Sequence, residues 1–146
     1  MLDMGAKIME VNIFKGGILR LTRTVETGGE NIKMGLMNEG FSEAEADNFL
    51  MKGPAERIKD TLKILFKEVF RSIDYYKATF KEKTFSEVIL TGGVTINNAV
   101  RDLLSEFFDI PVHSPNPFDS FGMRDENLRP LGPRFSVAIG LARRSA

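Results

Sequence analysis

Apolar residues recur along this chain at two different periods, and the change between them marks out its elements. From Lys7 to Phe14, Ile8, Val11 and Ile13 sit among polar residues, a strand-like run rich in β-branched side chains. From Ile18 to Val25 the alternation is cleaner: Ile18, Arg20, Thr22 and Thr24 on one face, Leu19, Leu21, Arg23 and Val25 on the other. Gly16-Gly17 between the two runs supplies the positive φ angles of a tight hairpin turn. Thr27-Gly28-Gly29-Glu30 then breaks the pattern and starts a helix running to about Met37. Ser42 followed by Glu43 and Glu45 opens another helix, to about Met51. The longest helical pattern starts at Pro54 and ends near Phe80. Its apolar positions Ile58, Leu62, Leu65, Phe66, Val69, Ile73 and Tyr76 fall three and four residues apart, so this helix packs one face on something.

Ser86 to Thr91 reads as a short buried strand that stops at Gly92-Gly93. A helix from about Ile96 to Phe107 and a strand from Ile110 to His113 follow. Strand, glycine turn, helix and strand in that order predict a right-handed βαβ crossover with its strands parallel. Pro115, Pro117 and Pro130 make residues 114 to 130 a loop, and a last helix spans Pro133 to Arg143. No repeat, low-complexity tract or linker interrupts the chain. The fold class is α/β.

Composition narrows the chemistry. Twenty basic and twenty acidic residues cancel, so no general field draws the chain to nucleic acid or anionic lipid. There is no cysteine, which removes disulfides and thiolate ligands, and a single histidine, His113, is too few for a structural zinc site. No apolar run reaches the ~20 residues of a membrane span. The expectation is a cytoplasmic protein without direct membrane insertion. At 146 residues the chain is long enough for one substantial core.

Two segments carry the candidate chemistry. In Val88-Ile89-Leu90-Thr91-Gly92-Gly93 the paired glycines lie just past the C-terminal end of an apolar strand, the edge at which open α/β sheets bind ligands. Near the N-terminus, Asp3 and Gly5 precede a strand: the carboxylate suits a hydrated magnesium ion, and the amides of Gly5 to Lys7 suit phosphate oxygens. Each motif alone is more often a tight turn. Their order and spacing make the combination informative: acid-glycine, hairpin, Gly28-Gly29-Glu30, long helices, then strand and Gly92-Gly93.

That arrangement resembles the second half of the actin-like ATPase fold. Asp3-Met4-Gly5-Ala6-Lys7 is similar to that superfamily's second phosphate motif, and Leu90-Thr91-Gly92-Gly93 to its adenosine motif. More narrowly, the whole chain resembles the C-terminal half of the PilM family of type IV pilus assembly proteins, relatives of the division protein FtsA. The narrower likeness rests on Glu10-Val11-Asn12-Ile13-Phe14, Thr27-Gly28-Gly29-Glu30, Ser72-Ile73-Asp74-Tyr75-Tyr76, Asn116-Pro117-Phe118 and Phe135-Ser136-Val137-Ala138-Ile139-Gly140-Leu141-Ala142.

The resemblance implies one lobe of a ribonuclease H-like fold, a mixed sheet with flanking helices. Residues 1–28 and 84–146 would form its main part, and about 29–83 an inserted helical subdomain. It implies ATP with magnesium as ligand, held by Asp3, Gly5, Ala6, Lys7, Gly28, Gly29, Glu30, Glu68, Arg71, Gly92, Gly93 and Val94, with Asp3 on the metal. For Glu68 and Arg71, one turn apart on the long helix, an exposed ion pair is the plainer reading. It also implies a cytoplasmic scaffold peripheral to the inner membrane, joined to membrane-bound pilus alignment proteins through a first lobe that this sequence lacks. Phosphoryl transfer needs groups from both walls of such a cleft, so no catalytic residue is assigned and hydrolysis by this lobe alone is not expected.

Two positions depart from the pattern. Met9 stands where relatives carry a hydroxyl near the phosphates, and Val94-Thr95-Ile96-Asn97-Asn98 replaces a further glycine and a proline-glycine step. An interaction module that no longer binds nucleotide is therefore one alternative. A fragment of an FtsA-like protein is another, although FtsA relatives continue into a linker and amphipathic helix where this chain ends at Arg143-Arg144-Ser145-Ala146. Phe107, Phe108, Phe118, Phe121 and Phe135 are expected mostly in the core. Some would face the missing lobe and expose an apolar patch through which copies could associate.

Overall fold

The computed structural model describes residues 1–82, 84–108 and 110–144, without the side chains of residues 55–58, 61 and 64. The side chain of Ile58, one of the contact positions expected on the long helix, thus lies outside the described residues. Five strands, β1 (Leu2–Met4), β2 (Met9–Lys15), β3 (Ile18–Val25), β4 (Val88–Thr91) and β5 (Val112–His113), form one mixed sheet in the order β3-β2-β1-β4-β5. The helices are α1 (Gly29–Asn38), α2 (Glu43–Lys52), α3 (Ala55–Phe80), α4 (Asn98–Phe107) and α5 (Ser136–Ala142). Three 3₁₀ turns cover Gly93–Ile96, Pro117–Phe121 and Arg129–Phe135.

The hairpin forms where the glycines predict it. Gly16 and Gly17 have φ of 58° and 76°, the paired left-handed angles of a type I′ turn. Ile13 faces Leu21 while Phe14 faces Leu19, so Arg20 is an extra residue in β3. That irregularity, with the charge on Arg20, blunts the sheet's outer edge. The parallel pair predicted between β4 and β5 is present, with Val88 opposite Val112.

The sequence reading missed β1. It placed Asp3 and Gly5 ahead of the first strand, yet Asp3 lies within a three-residue strand that pairs parallel to β4 (Leu2 with Leu90, Asp3 with Thr91) and antiparallel to β2. Three residues are too few to show a period of two. β2 begins at Met9 rather than Lys7, because Gly5 N donates to Ile8 O at 3.0 Å and closes a turn first. At the other end, the helix predicted from Pro133 is 3₁₀ up to Phe135 and α-helical only from Ser136. The turn begins at Arg129 with Pro133 inside it, and proline has no amide to donate to Arg129 O, so a regular α-helix cannot run through from there. Within the predicted loop 114–130, Pro117–Phe121 is a 3₁₀ turn capped by Asn116, whose side chain accepts from Phe118 N at 3.0 Å.

Met4, Met9, Leu90, Ile32, Leu62, Leu65, Leu103 and Leu104 are completely or almost completely shielded from water. Of the five phenylalanines expected mostly in the core, Phe108 and Phe118 are buried, whereas Phe107, Phe121 and Phe135 stay exposed. Helix α3 packs its apolar stripe against α1, α4 and β3. A fully buried polar side chain on it, Ser72, donates to Glu68 O at 2.8 Å and accepts from Arg23 of β3 at 3.4 Å. Arg23 also pairs with Glu68 at 3.0 Å, so polar contacts join this helix to the outer strand. Asn97, likewise buried, caps α4 through Ala99 N at 2.9 Å and donates to Gly53 O at 3.1 Å, tying α4 to the end of α2.

Core and surface leucines should differ accordingly. Leu90→Ala, in the centre of the sheet, should lose about 2–5 kcal/mol in urea unfolding. Leu128→Ala, at an exposed site, should stay within about 0.5 kcal/mol of the parent.

Candidate functional site

β1 and β4 run side by side, so their C-terminal ends bring the two glycine segments together. Gly92 turns the chain with φ of +93°, and a Cβ on it would lie 2.6 Å from Asp3 Oδ1 and collide with the Met4 carbonyl. Only glycine supplies both that angle and that approach. Its amide donates to Pro133 O at 3.0 Å, and its carbonyl accepts from Thr95 N (3.2 Å) and Thr95 Oγ1 (2.8 Å). The bend is thereby fixed from both sides.

Helix α1 begins against the same place. Gly29 N donates to Gly5 O at 3.0 Å, Glu30 N to Ala6 O at 2.8 Å and Asn31 N to Gly28 O at 3.1 Å. Gly28 N donates to Asn31 Oδ1 at 2.9 Å. A Cβ on Gly28 would lie 2.6 Å from Gly5 O, which explains the glycine. The helix's first amides and the Gly5 amide are therefore occupied by the protein itself. The backbone left facing the opening is at Ala6 and at Gly93-Val94, the start of a 3₁₀ turn whose first amides have no intrahelical partner.

These segments enclose a cleft of about 700 Å³. Of the residues assigned from the sequence, Asp3, Gly5, Ala6, Gly29, Glu30, Gly92, Gly93 and Val94 line it. Gly28 is buried behind the Gly5-Ala6 turn, and Lys7 is exposed outside the lining. Glu68 and Arg71 are not brought to the cleft. Glu68 pairs with Arg71 and with Arg23 of β3, the ion-pair role that their spacing also predicts. Met9 does not face the opening either; its side chain is completely buried in the core.

Sequence reading missed part of the wall. Lys33 lines the cleft one turn beyond Gly29 and pairs with Asp47 at 2.8 Å and Glu43 at 2.9 Å. Hydrogen bonds that its ammonium donates to Asp47 and Glu43 hold its pKa above the ordinary lysine range. Because the folded pKa is raised, the lysine's contribution to stability is fully present at neutral pH and is lost as pH rises through that raised pKa. Arg134 reaches over Gly93, and its Nη2 lies 3.5 Å from Met51 Sδ at the end of α2. One signal was legible in advance: on a helix starting at Gly29, residue 33 returns to the same face. Nothing local marks Asp47, Met51 or Arg134.

The charged residues of the lining are Asp3, Glu30, Asp47, Lys33 and Arg134, and Lys33 is already paired with Asp47. An anionic ligand would thus enter an acidic site and need a cation with it. Among the described residues no cluster of three metal-ligating side chains exists, so an ion here would take Asp3 and complete its shell from ligand and water. A second recess of about 950 Å³ lies toward the opposite ends of β1 and β4, between α3 and the sheet. Its walls are chiefly apolar, and Lys15 and Gly16 of the hairpin turn border it.

Gly92→Ala should destabilise the protein by about 2 kcal/mol or more, through the left-handed angle and the blocked Met4 carbonyl. Gly140→Ala, in a helix with open space around it, should stabilise by about 0.5–1 kcal/mol. Urea titrations of both variants measure the contrast.

Comparison with known proteins agrees with this geometry. The chain is 24% identical over 171 aligned positions to the cell division protein FtsA of Neisseria meningitidis serogroup B, covering 96% of this chain and 41% of FtsA. Identity to FtsA of Borreliella burgdorferi is 23% over 137 positions, covering 85% and 32% respectively. Among solved structures, the PilM-PilN type IV pilus biogenesis complex superposes with a TM-score of 0.72 at 23% identity, covering 98% of this chain and 44% of that one. The ethanolamine utilization protein EutJ from Carboxydothermus hydrogenoformans gives 0.58 at 17% identity, covering 97% and 46%. The chain therefore spans less than half the length of each of these relatives. The fold is that of the actin-like ATPases. The family profile described as type IV pilus assembly protein PilM matches residues 1–146, and the chain belongs to that family.

Proposed function

We propose that the cleft binds ATP with magnesium and that the chain is the nucleotide-binding half of a PilM-like scaffold for type IV pilus assembly. The observation that carries this reading is the meeting of Gly5, Gly29 and Gly92-Gly93 at one opening that the Asp3 carboxylate also lines. A volume of about 700 Å³ suits a nucleotide-sized ligand. Magnesium commonly uses one or two carboxylates and completes its octahedron from phosphates and water, which suits a site offering Asp3 beside the Gly92 turn. When bound, the ion would neutralise phosphate charge. Asp3 would orient it, the Gly93-Val94 turn and Ala6 would meet ligand oxygens, and Leu50 and Met51 would give an apolar wall to the base.

The wider role follows from the family. One relative was solved as a PilM-PilN complex. By analogy this protein acts in the cytoplasm, peripheral to the inner membrane, and joins inner-membrane pilus alignment proteins through a lobe outside this sequence. Phosphoryl transfer would need groups from a facing wall as well, so no hydrolytic role is assigned to these residues. A second reading, an interaction module without nucleotide, is favoured by one observation: the amides of Gly5, Gly29, Glu30 and Gly92 already have protein acceptors.

Calorimetry and thermal unfolding separate the two. ATP with magnesium should bind saturably and, at a hundredfold excess over Kd, stabilise by about 2.7 kcal/mol. Chelating the magnesium, or Asp3→Asn, should weaken binding about tenfold or more. No heat and no shift at millimolar nucleotide would leave the module reading.

A further inference from the structure

Lys33 has only limited exposure to water, and its ammonium lies between two carboxylates of α2, Glu43 and Asp47, at 2.8–2.9 Å. Lys33 and Asp47 both border the cleft. The pair therefore joins α1 to α2 at the wall a ligand would touch. The two helices also pack directly: Ala46 of α2 is fully buried, and Phe41 and Phe49 meet edge to face at 5.5 Å, so the ion pairs reinforce an apolar contact at its cleft-facing side. The backbone donors at the head of α1 are occupied by Gly5 and Ala6 carbonyls, so that helix can offer an incoming anion only a side chain. Apart from Arg134, Lys33 is the cation on the cleft lining.

We propose that Lys33 is a shared cation: phosphate oxygens of a cleft ligand take its ammonium from Asp47 and Glu43, so that occupancy of the cleft loosens α2 from α1. This rests on the nucleotide reading given above and adds its mechanical consequence. An ammonium has three donors, and a phosphate group carries more charge than one carboxylate, so exchange needs little side-chain movement. The carboxylates left behind are both more than half exposed and are solvated without penalty. The same competition makes Asp47 an inhibitor of binding, because it holds the cation the ligand needs.

Two variants should act in opposite directions, which a purely structural role for the pair would not produce. Lys33→Met should weaken ATP-magnesium binding about tenfold, and Glu43→Gln with Asp47→Asn should strengthen it several-fold, by calorimetry on the full chain. Hydrogen exchange of residues 43–52 supplies the second readout. In the parent protein exchange should rise several-fold at saturating ATP; in Lys33→Met it should be raised beforehand and unaffected by ATP. If the parent binds ATP while α2 exchange is unchanged or lowered, or if both variants weaken binding alike, the shared-cation account is wrong and the nucleotide reading stands. If the parent binds no ATP at millimolar concentration, both fall.

Discussion

Close backbone contact among three glycine-bearing segments is the constraint on which this structure depends. The carbonyls of Gly5 and Ala6 accept the first amides of α1, the Met4 carbonyl and Asp3 carboxylate press against the Gly92 bend, and Gly28 admits the turn between them. Side chains at these glycines would hold the segments apart. Because β1 and β4 are parallel neighbours, the contact lies at the strands' C-terminal ends, and the cleft is the space that remains in front of it. Fold and site thus share one cause.

The long elements were legible in the sequence because each had room to show a period or a signal. α3 has 26 residues of helical spacing, β3 alternates over eight, and Ser42 with Glu45 announces α2 by a capping box that the structure contains. The site was legible where glycine and acid had to be placed together. What escaped detection was short or distant. β1 is three residues long, and its membership in the sheet is decided by pairing with Leu90 and Val11 rather than by its own pattern. The pairing of Lys33 with Asp47 and the reach of Arg134 to Met51 depend on how α1, α2 and the last 3₁₀ turn pack, which no local spacing encodes. Glu68 shows both. Its spacing to Arg71 predicts the ion pair that forms, but the second partner, Arg23 of β3, comes from packing alone.

Charge distribution gives the cleft its chemical character. Backbone amides that would ordinarily welcome an anion are largely satisfied internally, and the acidic side chains on the lining outnumber the basic ones. On the nucleotide reading, such a site would disfavour a bare polyanion and favour one that arrives with a divalent cation. The protein's overall neutrality means that this preference is local and owes nothing to long-range attraction.

Amide chemical-shift mapping with ATP and magnesium tests the central claim most directly, because it reports where a ligand sits as well as whether it binds. The account predicts that the largest changes fall on Ala6, Gly29, Gly93 and Val94, around the Asp3 carboxylate. Changes centred instead on the recess by Phe70, Ile73 and Phe108, with the glycine segments unmoved, would contradict it.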